Sequence, residues 1–423
     1  MIIFAPITGR GGAVTVVRLS GHGSLAIVAS LAGGLPSPRH ATLRPLRWQG
    51  RVLDNALITV FPAPASFTGE DSAELSLHGG RAVLAALSSA LVALGARPAE
   101  PGEFSRRAFM NGKLSLLAAE AMADLIAAET EAQRRMAVEG VDALQAACTG
   151  WRESLRQSLA TQEALIDFPD EDLPPAVERE LLSRITHLRD DMAAALARAS
   201  AAVRLREGLE FVILGPPNAG KSTLLNALAN EDVAIVSEAP GTTRDALGVR
   251  LDFAGVPVQL VDTAGLRPSQ DAIEAEGVRR AGVRAARADF IIALAAPGQS
   301  FAATPPGVEV LRVSTKADLG ATPPGQLAVS ALHGHGLDTL RATLAGIAAR
   351  LTDTKSAATL ARPRQVACVR ETADSLTRAL AISEPELRGE ELRSAAQALA
   401  RLVGTIGVEE VLDAVFAGFC IGK

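Results

Sequence analysis

Gly215-Pro216-Pro217-Asn218-Ala219-Gly220-Lys221-Ser222-Thr223 follows the apolar run 211–214 and leads into Leu224-Leu225-Asn226-Ala227-Leu228. The spacing is G-x-x-x-x-G-K-[ST], set between a predicted strand and a predicted helix, as a phosphate-binding loop requires. Glycines let the backbone turn tightly, so that successive N–H groups and the helix N-terminus face an anion. Lys221 is then placed for the β- and γ-phosphates of a nucleotide and Ser222 for Mg²⁺. A Gly-rich turn with no ligand is the alternative, and the full spacing with both flanks disfavours it.

Downstream residues specify the nucleotide. Gly241-Thr242-Thr243 precedes a predicted hairpin, with strands 249–253 and 256–261 turning at Ala254-Gly255, and Asp262-Thr263-Ala264-Gly265 closes the second strand. An Asp at a strand end can hold Mg²⁺ through water, Gly265 can offer its N–H to the γ-phosphate, and Thr243 can complete the Mg²⁺ shell. Thr315-Lys316-Ala317-Asp318 follows the strand 310–313. Asp318 there can accept from guanine N1–H and N2–H₂, donors that adenine lacks, and Ser330-Ala331-Leu332 closes the base pocket. The expected nucleotide is GTP or GDP. Thr315 stands where the usual motif has Asn, and its hydroxyl is expected to keep part of the link to the phosphate loop. Leu266 stands where a Ras-like switch has its water-orienting Gln. Glu274 is the nearest replacement, although on the residues alone a solvated helix-surface carboxylate is the plainer reading.

A chain of 423 residues predicts two to four domains. It is 48% hydrophobic but only 3% aromatic, with no Tyr, which argues against a surface base-stacking platform. A net charge of −5 argues against a broad nucleic-acid-binding face, so RNA contact needs a local patch. Cys148, Cys368 and Cys420 lie too far apart in sequence for a disulfide framework or metal spacing. His333 and His335, in a Gly-rich loop, are expected to face solvent. The start lacks the pattern of a signal peptide, and apolar runs fall far short of the roughly 20 residues that cross a bilayer. The expectation is a cytoplasmic protein with no membrane association.

Residues 1–112 read as α+β, with strands 13–19, 56–61 and 73–78 and a helix 82–94; Glu74, Ser76 and His78 fall opposite Leu75 and Leu77. Residues 113–206 are helical, with Leu181, Ile185, Leu188, Met192, Ala195 and Ala199 forming one apolar stripe and Trp151, Leu155, Leu159, Gln162 and Leu165 another. The acidic run 169–175 between them reads as a solvated turn. Residues 207–350 alternate strands with helices. Helical periodicity resumes at 363–383 and 389–403, within 351–423. The predicted fold class is multidomain α/β plus α: an N-terminal α+β domain and a discontinuous helical domain carrying an inserted P-loop (Ras-like) GTPase domain.

With their flanks, these motifs resemble the MnmE (TrmE) family of tRNA-modification GTPases over nearly the whole chain. Four further blocks carry the likeness: Gly9-Arg10-Gly11-Gly12 with Val17-Arg18-Leu19-Ser20-Gly21; Ser66-Phe67-Thr68-Gly69-Glu70-Asp71 with Glu74 and His78-Gly79-Gly80; Pro101-Gly102-Glu103-Phe104-Ser105-Arg106-Arg107-Ala108-Phe109-Met110-Asn111-Gly112-Lys113-Leu114; and Phe419-Cys420-Ile421-Gly422-Lys423. The resemblance implies an N-terminal domain that binds tetrahydrofolate (the 5-formyl or 5,10-methylene form) and makes a homodimer. It implies GTP-dependent modification of the wobble uridine of certain tRNAs at C5, together with the flavoprotein MnmG (GidA). Carried onto matching positions, Arg18, Glu74, Lys113 and Lys423 bind the folate. Asn218 of the phosphate loop holds K⁺ together with the Ser237 and Ala239 carbonyls and Thr242, the last three from the nucleotide- and ion-binding stretch Ser237-Glu238-Ala239-Pro240-Gly241-Thr242-Thr243. Glu274 falls on the glutamate that positions the attacking water. Cys420 falls on a cysteine for which a chemical role is proposed, and a small buried hydrophobe is an equal alternative. Ser115 in place of Asp, a short segment at 402–408 and a few absent residues near the start depart from the family pattern. Two other readings stay open at this stage: an RNA-binding regulatory GTPase that performs no modification, and a helical scaffold with a degenerate nucleotide site.

Overall fold

The computed structural model describes residues 1–9, 11–167, 175–229, 248–262, 282–320, 326–353, 360–404 and 422. By contact density the chain divides into two compact units, 1–123 with 397–423, and 124–396.

The first unit is built on a six-stranded sheet in the order β3-β4-β5-β2-β1-β6. Its strands are β1 (Ile3–Pro6), β2 (Val14–Ser20), β3 (Thr42–Trp48), β4 (Arg51–Phe61), β5 (Ser72–His78) and the short β6 (Arg97–Pro98). Neighbours are antiparallel except β1 and β6. Side chains alternate along each strand. Val17, Leu19, Leu75, Leu77, Ile58 and Val60 point into a core shared with α1 (Ser24–Ala32) and α2 (Arg81–Ala93). Arg18, Glu74 and Thr59 therefore share the opposite face, with Arg18 directly across from Glu74 and Glu74 across from Thr59. Helix α3 (Glu103–Met110) buries Phe104 against Ile3 and Ala5.

In the second unit α5 (Glu131–Asp167) and α6 (Pro175–Glu207) carry the predicted stripes inward. Leu181, Ile185, Met192 and Ala195 are at most 1% exposed, and Gln162 donates from Nε2 to the Pro385 carbonyl oxygen at 2.9 Å. Helix α4 (Leu116–Ala127) leads into α5. Chain order then runs through a second six-stranded sheet before helices return. Its order is β12-β11-β10-β7-β9-β8, from β7 (Leu209–Leu214), β8 (Gly248–Phe253), β9 (Val256–Asp262), β10 (Phe290–Ala295), β11 (Val310–Ser314) and β12 (Leu327–Ala328). Only β8 is antiparallel to its neighbour. All six residues of β10 are buried, the pattern of a parallel strand covered on both faces. Ala254 and Gly255 have φ of 54° and 86°, the twin left-handed residues of a tight hairpin turn between β8 and β9. Helices α7 (Lys221–Ala229) and α8 (Leu337–Leu351) pack on the sheet core.

Among the described residues, the strand–helix alternation expected across 207–350 fails between β10 and β11. Residues 296–309, between β10 and β11, form no helix, because Pro297, Pro305 and Pro306 lack the backbone N–H a helix needs, and Gly298 and Gly307 take left-handed φ of 77° and 85°. Helices α9 (Pro363–Ala381) and α10 (Pro385–Val403) then complete the bundle, α9 packing on α6. Both chain crossings between bundle and sheet are pinned by one carboxylate. Asp124 accepts from Arg206 Nε at 2.8 Å, at the end of α6, and from Arg362 at 2.6 Å, just before α9. Among the described residues no helix is long and apolar enough to cross a membrane.

Candidate functional site

The phosphate loop lies between β7 and α7, and its shape follows from two local constraints. A Cβ at Gly215 would lie 2.7 Å from the Leu294 carbonyl oxygen on β10, so only glycine lets the loop leave the sheet there. Asn218 has φ 60°, a left-handed geometry that Asn tolerates better than most residues. Lys221 folds back inside the turn, its Nζ donating to the Gly215 and Pro216 carbonyl oxygens at 2.8 and 2.9 Å. Its ammonium is thus held within the loop whose N–H groups would face an anion.

Ser222 Oγ donates to Asp262 Oδ2 at 2.6 Å. Parallel pairing of β7 and β9 sets Ile213 beside Asp262, which brings the strand-end carboxylate to the loop. A hydroxyl and a carboxylate in contact make an oxygen donor set of the kind a hard, octahedral cation such as Mg²⁺ takes, so these residues fit that ion. Thr315 Oγ1 donates to the Ala219 carbonyl oxygen at 2.7 Å, tying the base-reading turn to the phosphate loop through a hydroxyl. The loop has a second tether that no local motif signals. Gln299 Nε2 donates to the Pro217 carbonyl oxygen at 3.0 Å across 82 residues of sequence.

At the base-reading corner Asp318 Oδ1 accepts from Ser330 Oγ at 2.5 Å, and the Ala317 N–H donates to the Val329 carbonyl oxygen. Ala331 and the exposed Leu332 continue the same loop, and Lys316 takes a left-handed φ of 53°. The Ser330 hydrogen bond, with help from the backbone and from His333 and His335, holds the Asp318 carboxyl below its ordinary value. It is therefore an acceptor at neutral pH. Asn218, Ala219, Gly220, Lys221, Ser222, Thr223, Asp262, Thr315, Lys316, Ala317, Asp318, Ser330, Ala331 and Leu332 all belong to the described fold. Ser237, Glu238, Ala239, Pro240, Gly241, Thr242, Thr243, Thr263, Ala264, Gly265, Glu274, Cys420 and Lys423 lie outside the described residues.

In the first unit the sequence blocks converge on the loop 66–71. Arg18 donates to Glu74 Oε1 from Nε at 3.1 Å and from Nη2 at 2.8 Å. Its guanidinium lies 5.0 Å from the Phe67 ring centroid and 5.8 Å from that of Phe104, a cation–π arrangement that fixes its plane. Lys113 lies on the same loop: a Cβ at Gly69 would sit 3.2 Å from Lys113 Cγ. The chain's end approaches as well, since a Cβ at Gly422 would lie 2.2 Å from the Pro6 carbonyl oxygen, on the strand paired with Arg18's.

Beneath this loop runs a network that is invisible in sequence. Arg97 grips Glu103 through two hydrogen bonds of 2.8 and 2.6 Å, Arg107 joins Glu103 at 3.0 Å to Glu70 at 2.9 Å, and Glu70 accepts from Ser20 Oγ. Only the i,i+4 spacing of Glu103 and Arg107 could have signalled any of it. Burial alone pushes the Glu103 carboxyl up, but hydrogen bonds from Arg97, the Glu100 amide and Arg107 outweigh it and hold it below the ordinary value. The ionised form is the one the fold favours. Its contribution is complete above about pH 4.5 and is lost as pH falls through the lowered value. In a Trp151→Phe background, Trp48 on β3 reports on this unit alone. Its urea midpoint should fall between about pH 5 and 3 more steeply with Glu103 than with Glu103→Gln. Parallel profiles would remove Glu103 from the acid response.

Comparison with known proteins matches two family models. One described as the GTP-binding protein TrmE N-terminus covers residues 2–113, and one described as the MnmE helical domain covers 116–420. A protein of Acidiphilium cryptum is 58% identical over 427 residues, covering 100% of this chain and 98% of that protein. One of Gluconacetobacter diazotrophicus is 52% identical over 433 residues, covering 100% and 99%, and one of Rhodospirillum rubrum 48% over 450, covering 100% and 99%. All three are named tRNA modification GTPase MnmE. With both family models accounting for nearly every residue and full-length relatives near or above half identity, the chain belongs to the MnmE family of tRNA modification GTPases.

Proposed function

We propose that this chain is the GTP-hydrolysing component of an enzyme that modifies the wobble uridine of certain tRNAs at C5. A folate-derived one-carbon unit and the flavoprotein MnmG complete the reaction, which installs a carboxymethylaminomethyl group. The observation that carries the reading is that one chain holds two distinct recognition corners: a nucleotide cradle at Lys221 and an Arg18–Glu74–Phe67 cluster that a pure GTP switch does not need. Glu74 can accept from the amino-pyrimidinone edge of a pterin, and Phe67, 37% exposed, offers a ring face to it. Arg18, Lys113 and Lys423 supply positive charge for the carboxylate-bearing end. The domain partition belongs to the same reading: 1–112 for folate binding and homodimer formation, 113–206 and 351–423 for the helical frame, 207–350 for GTP.

In the cradle Lys221 and the loop N–H groups orient the phosphates, and Ser222, Thr243 and Asp262 serve Mg²⁺, which neutralises charge on the phosphate oxygens when bound. Asn218, the Ser237 and Ala239 carbonyls and Thr242 would hold K⁺, whose charge would offset that developing on the phosphates, Glu274 would position the attacking water, and Cys420 would serve the folate chemistry.

Calorimetry with 5-formyltetrahydrofolate tests the reading. Binding is expected to the full chain and to be lost in Arg18→Ala, whereas no binding to the native chain would leave a regulatory GTPase. Hydrolysis should also run much faster in K⁺ than in Na⁺ buffer, with Asn218→Ala erasing the difference. Equal native rates in the two salts would remove K⁺ from the site.

A further inference from the structure

The loop that closes the base pocket carries two histidines, and one of them reaches the guanine-reading carboxylate. His333 Nε2 stands 3.8 Å from Asp318 Oδ2, while Oδ1 is already engaged by Ser330. The His333 side chain is about half exposed, at 53%, so solvent reaches it freely. The loop is not slack. The Ser330 N–H donates to the His335 carbonyl oxygen at 2.9 Å, the His333 N–H to the Ser330 carbonyl oxygen at 3.2 Å, and the two imidazole centroids lie 6.5 Å apart. The ionisable groups in contact with it are Asp318, on the turn after β11, and His335, on its own loop; on the adjoining segments Lys316 lies on the same turn as Asp318, and Asp338, at the start of α8, is held by Arg341 at 3.2 Å.

We propose that His333 is a positioning residue for guanine recognition: once protonated, its imidazolium draws Asp318 Oδ2 toward itself and weakens the binding of guanine nucleotides. The inference rests on Asp318 reading the base. Guanine offers N1–H and N2–H₂ side by side, and each needs one carboxylate oxygen. Oδ1 is fixed by the Ser330 bond, so Oδ2 must complete the pair, and Oδ2 is the atom His333 contests. A 3.8 Å gap is too long for a hydrogen bond, and it closes to an ion pair with a small side-chain rotation. Imidazole is the side chain whose charge changes between pH 5 and 8, so affinity falls as pH falls through that range. By linkage, nucleotide binding at slightly acid pH releases a proton.

The test is fluorescence titration of the full chain with labelled GDP from pH 5.5 to 8.0, beside His333→Gln, His333→Arg and His335→Gln. Titration of the nucleotide's own phosphate is common to all of them and cancels in the ratio of dissociation constants. The ratio of native to His333→Gln should rise about threefold from pH 8.0 to 5.5, on the scale of an exposed ion pair. His333→Arg, with a permanent charge at the same place, should bind GDP more weakly than His333→Gln at both ends of the range. Parallel native and His333→Gln profiles would overturn the proposal, and so would a pH response abolished by His335→Gln alone. Asp318→Asn distinguishes the two layers: unchanged GDP affinity in that variant would sink the guanine reading itself rather than the part given to His333.

Discussion

Lys221→Ala is expected to reduce single-turnover GTP hydrolysis by at least about 10²-fold, the scale of removing one preorganised charge from a phosphoryl-transfer site. Lys221 is 8% exposed, and its ammonium is already held by the carbonyl oxygens of Gly215 and Pro216. Little reorganisation is needed when a phosphate arrives, which is the condition under which a fixed charge acts mainly on the transition state. Alanine removes both the charge and two donors to the loop. Thr315 and Gln299 still tether the loop at Ala219 and Pro217, so the cradle should keep its place on the sheet. The variant should therefore stay folded, with an unchanged circular dichroism spectrum, while turnover collapses. Turnover within tenfold of the native rate would mean that the charge is supplied from elsewhere.

Much of this arrangement could be read from local sequence, and what could not has a common cause. Periodicity gave the stripe of α6 residue by residue, because a long helix repeats its own environment every turn. The β8–β9 hairpin followed from an Ala-Gly turn between two apolar runs. The phosphate loop was legible because its function depends on backbone geometry within nine residues. The contacts that hold the loop in place were not legible. Gln299 to Pro217 and Thr315 to Ala219 join segments about ninety residues apart, and nothing local marks either partner for the other. The same holds for Arg97, Glu103, Arg107 and Glu70, whose side chains meet only because β6 and α3 fold onto the loop 66–71. The missing crossover helix at 296–309 was signalled by its own prolines, but a general expectation of strand–helix alternation overrode them. Exposed loops such as 332–336 carry the least signal of all. A histidine in a Gly-rich loop reads as solvent-facing, and His333 is indeed half exposed, yet its neighbour across the turn is the residue that matters.

Asp318→Asn should lower GDP affinity about a hundredfold and raise xanthosine diphosphate affinity by a comparable factor, on the scale of hydrogen bonds to a charged group made or reversed. The carboxylate presents two acceptors to guanine's two donors. An amide presents one acceptor and one donor, so its NH₂ would face the guanine amino group with no acceptor between them. Xanthine keeps N1–H but carries a carbonyl in place of the amino group, which matches the amide atom for atom. Ser330 decides which way the amide turns. Its hydroxyl stands 2.5 Å from Oδ1 and can donate to a carbonyl oxygen there or accept from an NH₂ group. The first arrangement leaves the amide NH₂ at the Oδ2 position, directed to the base and next to His333. Competition binding with the two diphosphates measures the swap directly. A variant that lost guanine without gaining xanthine would show that Asp318 supports the loop but does not read the base. A variant that kept guanine would move base recognition to the backbone of Ser330 and Ala331.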